Sequence, residues 1–296
     1  MRTPINIQFT RFSAFYSPLI GTAAGGFLEA EGLEANFSMS APGKSAIAAL
    51  IDGSAHVVQS APSQGLGALE RGETPPALHF AQINERDGFF LAGRRPDPDF
   101  AWSKLAGGKV LVDHADQPLA MFKYACLKQG LDYDSIEAVD SGSSAEMDAA
   151  FRSGEGDYVH QQGPAPQQLE MDGVGHVVAS VGEAIPPCAF SSLAATREWL
   201  ASDMARAFMR AYRSTRAWIN EAPAAEIAAA EADHFPDVNQ DVLTETIGFY
   251  QKLGCWSPHV EITKQAFEVT LDVFRNVGRT TERDAYAEVV ALPPSD

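Results

Sequence analysis

The sequence predicts an α/β protein built from two α/β units and a helical C-terminal part. Three observations carry this. Short apolar strand patterns alternate with helices from Ile5 to Ile83, the alternation restarts at Gly88, and after Pro186-Pro187 the pattern turns helical almost throughout. A chain of 296 residues is also too long for one average domain and suits two.

The elements follow in order. Ile5–Phe9 alternates at period two and reads as a strand. Pro18–Glu31 reads as one helix stopped by Gly32, since glycine accepts the left-handed conformation that ends a helix. Leu33–Met39 alternates again. Lys44–Asp52 is a short helix, Ala55–Gln59 a strand, Pro62–Arg71 a helix and Ala77–Ile83 a strand. This rhythm implies a largely parallel sheet with helices on both faces. The second set runs Gly88–Gly93 (strand), Lys109–Val112 (strand), Pro118–Gln129 (helix), Ile136–Asp140 (strand) and Ser144–Ser153 (helix). It ends with Asp157–His160 (strand), Gly163–Met171 (helix) and His176–Ser180 (strand). Thr196–Val277 is a succession of amphipathic helical patterns.

Composition limits the function classes. Hydrophobic residues are 45% and charged residues 21%, which allows a core in each unit without disulfide support. The net charge of −17, with 22 Lys+Arg against 39 Asp+Glu, has no basic stripe and excludes nucleic acid as the expected partner. Attraction to an anionic membrane is equally disfavoured. Cys126, Cys188 and Cys255 are far apart with no C-x-x-C, so neither a zinc site nor a disulfide framework is expected. Met1–Phe9 enters a strand pattern with no apolar signal-peptide core, and no apolar run approaches the roughly 20 residues of a membrane helix. The expectation is a cytosolic protein, or an exported one whose signal is absent from this sequence.

Four segments, in order, carry a family resemblance. Phe15-Tyr-Ser-Pro-Leu with Gly26-Phe-Leu-Glu-Ala-Glu-Gly-Leu-Glu34 resembles the opening of the nitrate/sulfonate/taurine group of ABC-transporter binding proteins. That group includes pyrimidine-precursor binders and thiamine-pyrimidine synthase proteins. Ala48-Ala-Leu-Ile-Asp-Gly-Ser-Ala-His56, Ser103-Lys-Leu-Ala-Gly-Gly-Lys-Val110 and Ala149-Ala-Phe-Arg-Ser-Gly-Glu-Gly-Asp157 resemble three further elements of it. The resemblance spans nearly the whole chain. It implies the type II periplasmic-binding-protein fold, with two lobes joined by two crossovers, at Asn84–Asp87 and Gly182–Pro187. Lobe one is then 1–87 plus 188–296 and lobe two 88–187. It also implies a small-molecule ligand in the interlobe cleft, an ABC permease as partner, a periplasmic location, a monomer and no cofactor.

Ligands of open α/β sheets lie at the C-terminal ends of the strands, which selects six loops. In Thr10–Tyr16, the side chains of Phe12, Phe15 and Tyr16 either wall a pocket for a flat body or pack the lobe. In Ala41–Ser45, Gly43 allows close backbone approach and Lys44 adds charge, while Ser45 faces a ligand or simply caps the following helix. Ser60 and Ser63 offer hydroxyls before another helix. Asn84 bonds a ligand or holds the hinge. On lobe two, Asp113 and His114 precede a helix, with a cap and a solvated loop histidine as the plain alternatives. Tyr158 and Gln161 lie in the sixth segment, where Gln161, Gln162 and Pro164 stand in place of the Trp–Glu–Pro run frequent in the family. That departure leaves pyrimidine binding unsupported. The expected function is non-enzymatic capture for an importer. The alternative is a cytosolic enzyme on the same scaffold, of pyrimidine-precursor or menaquinone-pathway type, although the cysteine-rich motif of the synthase relatives is missing.

Overall fold

The computed structural model of the chain describes residues 2–41, 44–279 and 285–295. Its strands form two five-stranded sheets. The first sheet contains β1 (Thr3–Phe9), β2 (Leu33–Met39), β3 (Val57–Ser60) and β4 (Leu78–Asn84). The second contains β5 (Phe89–Gly93), β6 (Lys109–Leu111), β7 (Glu137–Val139), β8 (Tyr158–Gln162) and β9 (His176–Ser180). The chain then returns to the first sheet as β10 (Ser191–Ala195). The spatial orders are β2-β1-β3-β10-β4 and β7-β6-β8-β5-β9.

β1 follows from its own period. Ile5, Ile7 and Phe9 are fully buried while Asn6 and Gln8 alternate with them, and the strand pairs in parallel with β2 from Thr3↔Leu33 to Phe9↔Met39. β3 is also parallel to β1, and β6, β7 and β8 run parallel in the second sheet. Each sheet is largely parallel and carries one antiparallel strand, β10 between β3 and β4 and β5 between β8 and β9. One expectation is corrected. The expected helix over 18–31 is two helices, Ser17–Ala24 and Phe27–Ala30. Gly26 between them has φ 74°, a left-handed conformation that ends the helical ladder.

The C-terminal helices brace the first sheet. Asp203–Glu221 is capped by Ser202 and buries Phe208, Tyr212 and Ile219. Its Tyr212 hydroxyl donates to the Gln82 carbonyl at 2.7 Å, and Arg216 Nη1 donates to the Ile83 carbonyl at 2.6 Å, so the end of β4 is fixed. Helix Gln240–Leu253 reaches the second sheet as well. The Tyr250 hydroxyl donates to the Gly88 carbonyl at 2.8 Å and accepts from the Gly163 amide at 3.0 Å. Tyr250→Phe should therefore leave a buried N–H and a buried C=O unpaired and lower the unfolding free energy by about 1–2 kcal/mol. Chemical denaturation checks this, and an unchanged midpoint would show that neither group depends on the hydroxyl. Among the described residues no helix is long and apolar enough to cross a membrane.

Candidate functional site

The chain directions bring one set of strand ends together. β1, β2 and β3 finish at Phe9, Met39 and Ser60, and β10 starts beside them at Ser191 because it runs the other way. In the second sheet β6 and β8 finish at Leu111 and Gln162, and antiparallel β5 starts there at Phe89. Between the two sets lies a cavity of about 520 Å³, within the roughly 300–1,000 Å³ of small-molecule sites.

Five polar contacts join the sides across this region. Arg11 pairs with Asp113 at 2.7 Å, and the Ser13 hydroxyl donates to the Gly163 carbonyl at 2.6 Å. Ser63 Oγ donates to Gln117 Oε1 at 2.8 Å, Gln117 Nε2 donates to the Phe190 carbonyl at 2.6 Å, and Arg279 Nη1 meets Asp116 Oδ2 at 2.7 Å. Each contact links a residue sequentially next to first-sheet strands or the C-terminal helices with one next to second-sheet strands. These contacts span the cavity.

The cavity has an exposed rim and a buried floor. Lys44 and Asp116 are on the rim, exposed to solvent. The floor carries hydroxyls and carboxamides: Tyr16, Gln59, Ser60, Ser63, Gln117 and Gln162 line the space and are all buried. Gln59 Oε1 accepts from the Thr10 amide, the Thr10 hydroxyl and the Arg11 amide, at 2.9, 2.7 and 3.3 Å, which orients its amide group. Ser60 Oγ and Gln162 Oε1 are buried with no partner among the described residues. Gln162 Nε2 stands 3.5 Å from the Tyr16 hydroxyl, and burial raises the pKa of that phenol, so it keeps its proton.

Phe89 and Phe190 stand behind the cavity as buried apolar residues, their ring centroids 6.3 Å apart, and the Arg11 guanidinium lies 5.3 Å over the Phe89 ring. Behind Phe89 the His160 ring is stacked at 4.7 Å, and Phe122 covers its other face at 4.6 Å. Burial pushes the His160 pKa down to about 3, so the imidazole is neutral and serves as a spacer under the wall.

The expected site residues divide accordingly. Tyr16, Lys44, Ser45, Ser60 and Ser63 line the cavity. Ser45 also caps the helix Ala46–Ile51 by accepting from the Ile47 amide at 3.3 Å. Gly43 lies outside the described residues. The remaining expected residues are not brought to this cavity. Phe15 is fully buried among Tyr16, Phe190 and Tyr250 and belongs to the core. Phe12 packs on Phe9 and Phe235 and edges a separate recess of about 300 Å³. Asn84 ends β4 fully buried, its Oδ1 accepting from Trp256 Nε1 at 2.9 Å. Asp113 is buried and occupied with Arg11 and the Ala115 amide, and His114 Nδ1 is bonded to the Val112 carbonyl. Tyr158 opens β8 and so sits at the far end of the strand, in another recess with Arg94 and Lys104. Gln161 points to the opposite face of β8 from Gln162 and donates to the Ser144 carbonyl. The floor residues Gln59, Gln117 and Gln162 and the wall residues Phe89 and Phe190 were not among the expected ones.

Two mixed α/β sheets, two chain crossings and a cavity at the facing strand ends define a periplasmic-binding-protein fold. The sequence profile of the family described as "NMT1/THI5 like" matches residues 15–226, and the chain belongs to that family. YtlA of Bacillus subtilis (strain 168), a protein whose name designates binding, is 26% identical over 292 residues, covering 97% of this chain and 87% of YtlA. Among solved structures, the ligand-binding component of an ABC-type import system from Staphylococcus aureus, with zinc bound, superposes with a TM-score of 0.77 at 15% identity, covering 98% of this chain and 97% of its own. The alkanesulfonate-binding protein SsuA from Xanthomonas axonopodis pv. citri, bound to MOPS, gives 0.75 at 17% identity, covering 98% of both chains. These likenesses are of fold.

Proposed function

We propose that this protein is the solute-capturing component of an ABC importer, acting outside the cytoplasm and handing its ligand to a permease. The observation that carries the reading is the cavity between the facing strand ends, lined by hydroxyl and carboxamide side chains from both sheets. Capture rather than chemistry fits the lining. It contains no histidine or cysteine among the described residues, and its one carboxylate, Asp116, is on the rim and paired with Arg279. The names of YtlA, SsuA and the S. aureus component point the same way. In this reading residues 1–87 with 188–296 and residues 88–187 move as two bodies, opening at the crossings and closing on the solute.

Equilibrium dialysis against a metabolite extract, followed by mass spectrometry of the retained molecules, tests this. One solute should be retained near one equivalent and recovered chemically unchanged. At 100 times its Kd it should add about 2.7 kcal/mol of stability and reduce the radius of gyration in solution scattering. Tyr16→Ala should weaken its binding by about 1–3 kcal/mol while the protein stays folded. Recovery of a chemically altered molecule, or an unchanged radius at saturation, sinks the capture reading.

A further inference from the structure

We propose that Arg11 limits the size of the solute by walling the space between the sheets into two compartments. The proposal rests on the capture reading and names a specificity-determining residue of that same site.

Two spaces meet at Arg11. The larger, of about 520 Å³, has Lys44 and Asp116 exposed at its rim. The smaller, of about 300 Å³, is bounded by Phe12 and Ser13, which follow β1, and by Gly163 and the helix Ser144–Arg152 on the side of the second sheet. Ser144 and Arg152 are exposed at its edge. Among the described residues Arg11 and Gln162 alone border both spaces. They come from opposite sides. Arg11 follows β1 and reaches Asp113, which follows β6. Gln162 ends β8, and its Nε2 stands 3.5 Å from the hydroxyl of Tyr16, which follows β1. Two side chains laid across the gap in opposite directions thus form the wall.

Arg11 is the firmer of the two because it is held at both ends. Its amide donates to Gln59 Oε1 at 3.3 Å, which ties its backbone to β3. Its Nη2 donates to Asp113 Oδ2 at 2.7 Å, and the Ala115 amide fixes that carboxylate by donating to Oδ1 at 3.0 Å. The guanidinium also lies 5.3 Å over the Phe89 ring, within cation–π range. Phe89 has no open space behind it, since His160 and Phe122 are stacked there. A charge-assisted bond to a buried carboxylate restrains a side chain more firmly than a solvent-exposed pair does. The long side chain is therefore kept across the gap instead of swinging among rotamers. A short residue at this position would leave the two spaces joined, and a solute too long for the larger one could then extend into the smaller.

Arg11→Ala by itself strands the Asp113 carboxylate in the interior, so the test pairs it with Asp113→Asn, whose side chain can still accept from the Ala115 amide. The single variant should melt below the parent, and the double variant should recover part of the loss. A crystal structure of the double variant should show one continuous space where the parent has two. Equilibrium dialysis of the parent and the double variant against the same metabolite extract, read by mass spectrometry, should show the variant retaining solutes of greater mass than any the parent retains. It should bind the parent's own solute about tenfold more weakly, as expected for one lost well-packed contact. Two spaces still separate in the double variant, or an unchanged solute at unchanged affinity with nothing larger retained, would overturn the proposal. A parent that retains no solute removes the capture reading instead, and the crystal structure then decides the wall by itself.

Discussion

Gly182→Ala should lower the stability of the protein by about 3 kcal/mol, the upper part of the range for overpacking a filled interior. Gly182 lies in the short helix Val181–Ala184, where the chain leaves the second sheet, and Asp87 lies where the chain first enters it. A methyl group at Gly182 would stand 2.3 Å from the Asp87 carbonyl oxygen and 3.0 Å from Leu253 Cδ2. The first of these is backbone, so it cannot rotate away; one crossing must shift against the other. The two crossings are also tied there by Arg86 Nη1, which donates to the Gly182 carbonyl at 3.1 Å. A loss of about 3 kcal/mol corresponds to a fall of roughly 6–10 °C in Tm for a chain of this size class. Gly248→Ala is the control. It sits within helix Gln240–Leu253, where a methyl would meet only Ala224 Cβ at an ordinary 3.5 Å, and alanine there should be neutral or stabilising. If Gly182→Ala melts with the parent, the two crossings are not in backbone contact and the hinge geometry is wrong.

The parts of the site that could be read in the sequence follow from chain direction. The period-two patterns of β1, β2 and β3 give their ends, and the loops after those ends supply Tyr16, Lys44, Ser45, Ser60 and Ser63. Direction is also what hid the rest. β5 has the same apolar run whether it is parallel or antiparallel, and only its antiparallel pairing puts Phe89 at the cleft end rather than the far one. β10 is Ser-Ser-Leu-Ala-Ala, small residues without alternation, buried throughout between two neighbours. Nothing in that pattern announces a strand, so Phe190 and Ser191 went unread as wall residues. Parity decided between Gln161 and Gln162, which lie on opposite faces of β8, and strand polarity placed Tyr158 at the wrong end. Gln59 was assigned to a strand, where its side chain reads as structural; its orientation by Thr10 and Arg11 emerges only when β1 and β3 are side by side. The Arg11–Asp113 pair joins residues on opposite sides of the cleft, and no local pattern predicts it.

Glu231→Gln should make the protein more stable at pH 8 and leave it nearly unchanged at pH 5. Glu231 closes the helix Ala224–Glu231 and is fully buried against the helix Ser17–Ala24, with no cation in contact among the described residues. Its Oε2 is 2.8 Å from Ser17 Oγ, and Ser17 Oγ is also 2.8 Å from the Ala14 carbonyl. A hydroxyl has one proton to give. If Ser17 donates to Ala14, the carboxyl must itself carry the proton in the second contact. Burial pushes the same way, raising the Glu231 pKa from 4.5 to about 8, with the Ser17 contact opposing it only in part. The sign follows. Between pH 4.5 and about 8 the folded protein retains a proton that the unfolded chain has released, so stability falls as pH rises through that window and levels off above it. At about 1.4 kcal/mol for each pH unit, the loss approaches roughly 4 kcal/mol by pH 8. Asp87, fully buried at the first crossing with its pKa raised to about 7, adds a loss of the same sign over a lower range. Glutamine matches the protonated acid in shape, can donate its amide to Ser17 Oγ, and does not titrate. The variant should therefore gain several kcal/mol over the parent at pH 8, on the order of 6–10 °C in Tm, and the gain should shrink toward zero near pH 5. Melting both proteins from pH 5 to pH 8 decides it. A difference independent of pH, or a variant less stable at pH 8, would mean that Glu231 is ionised in the fold and that the hydroxyl of Ser17 is turned to the carboxylate instead.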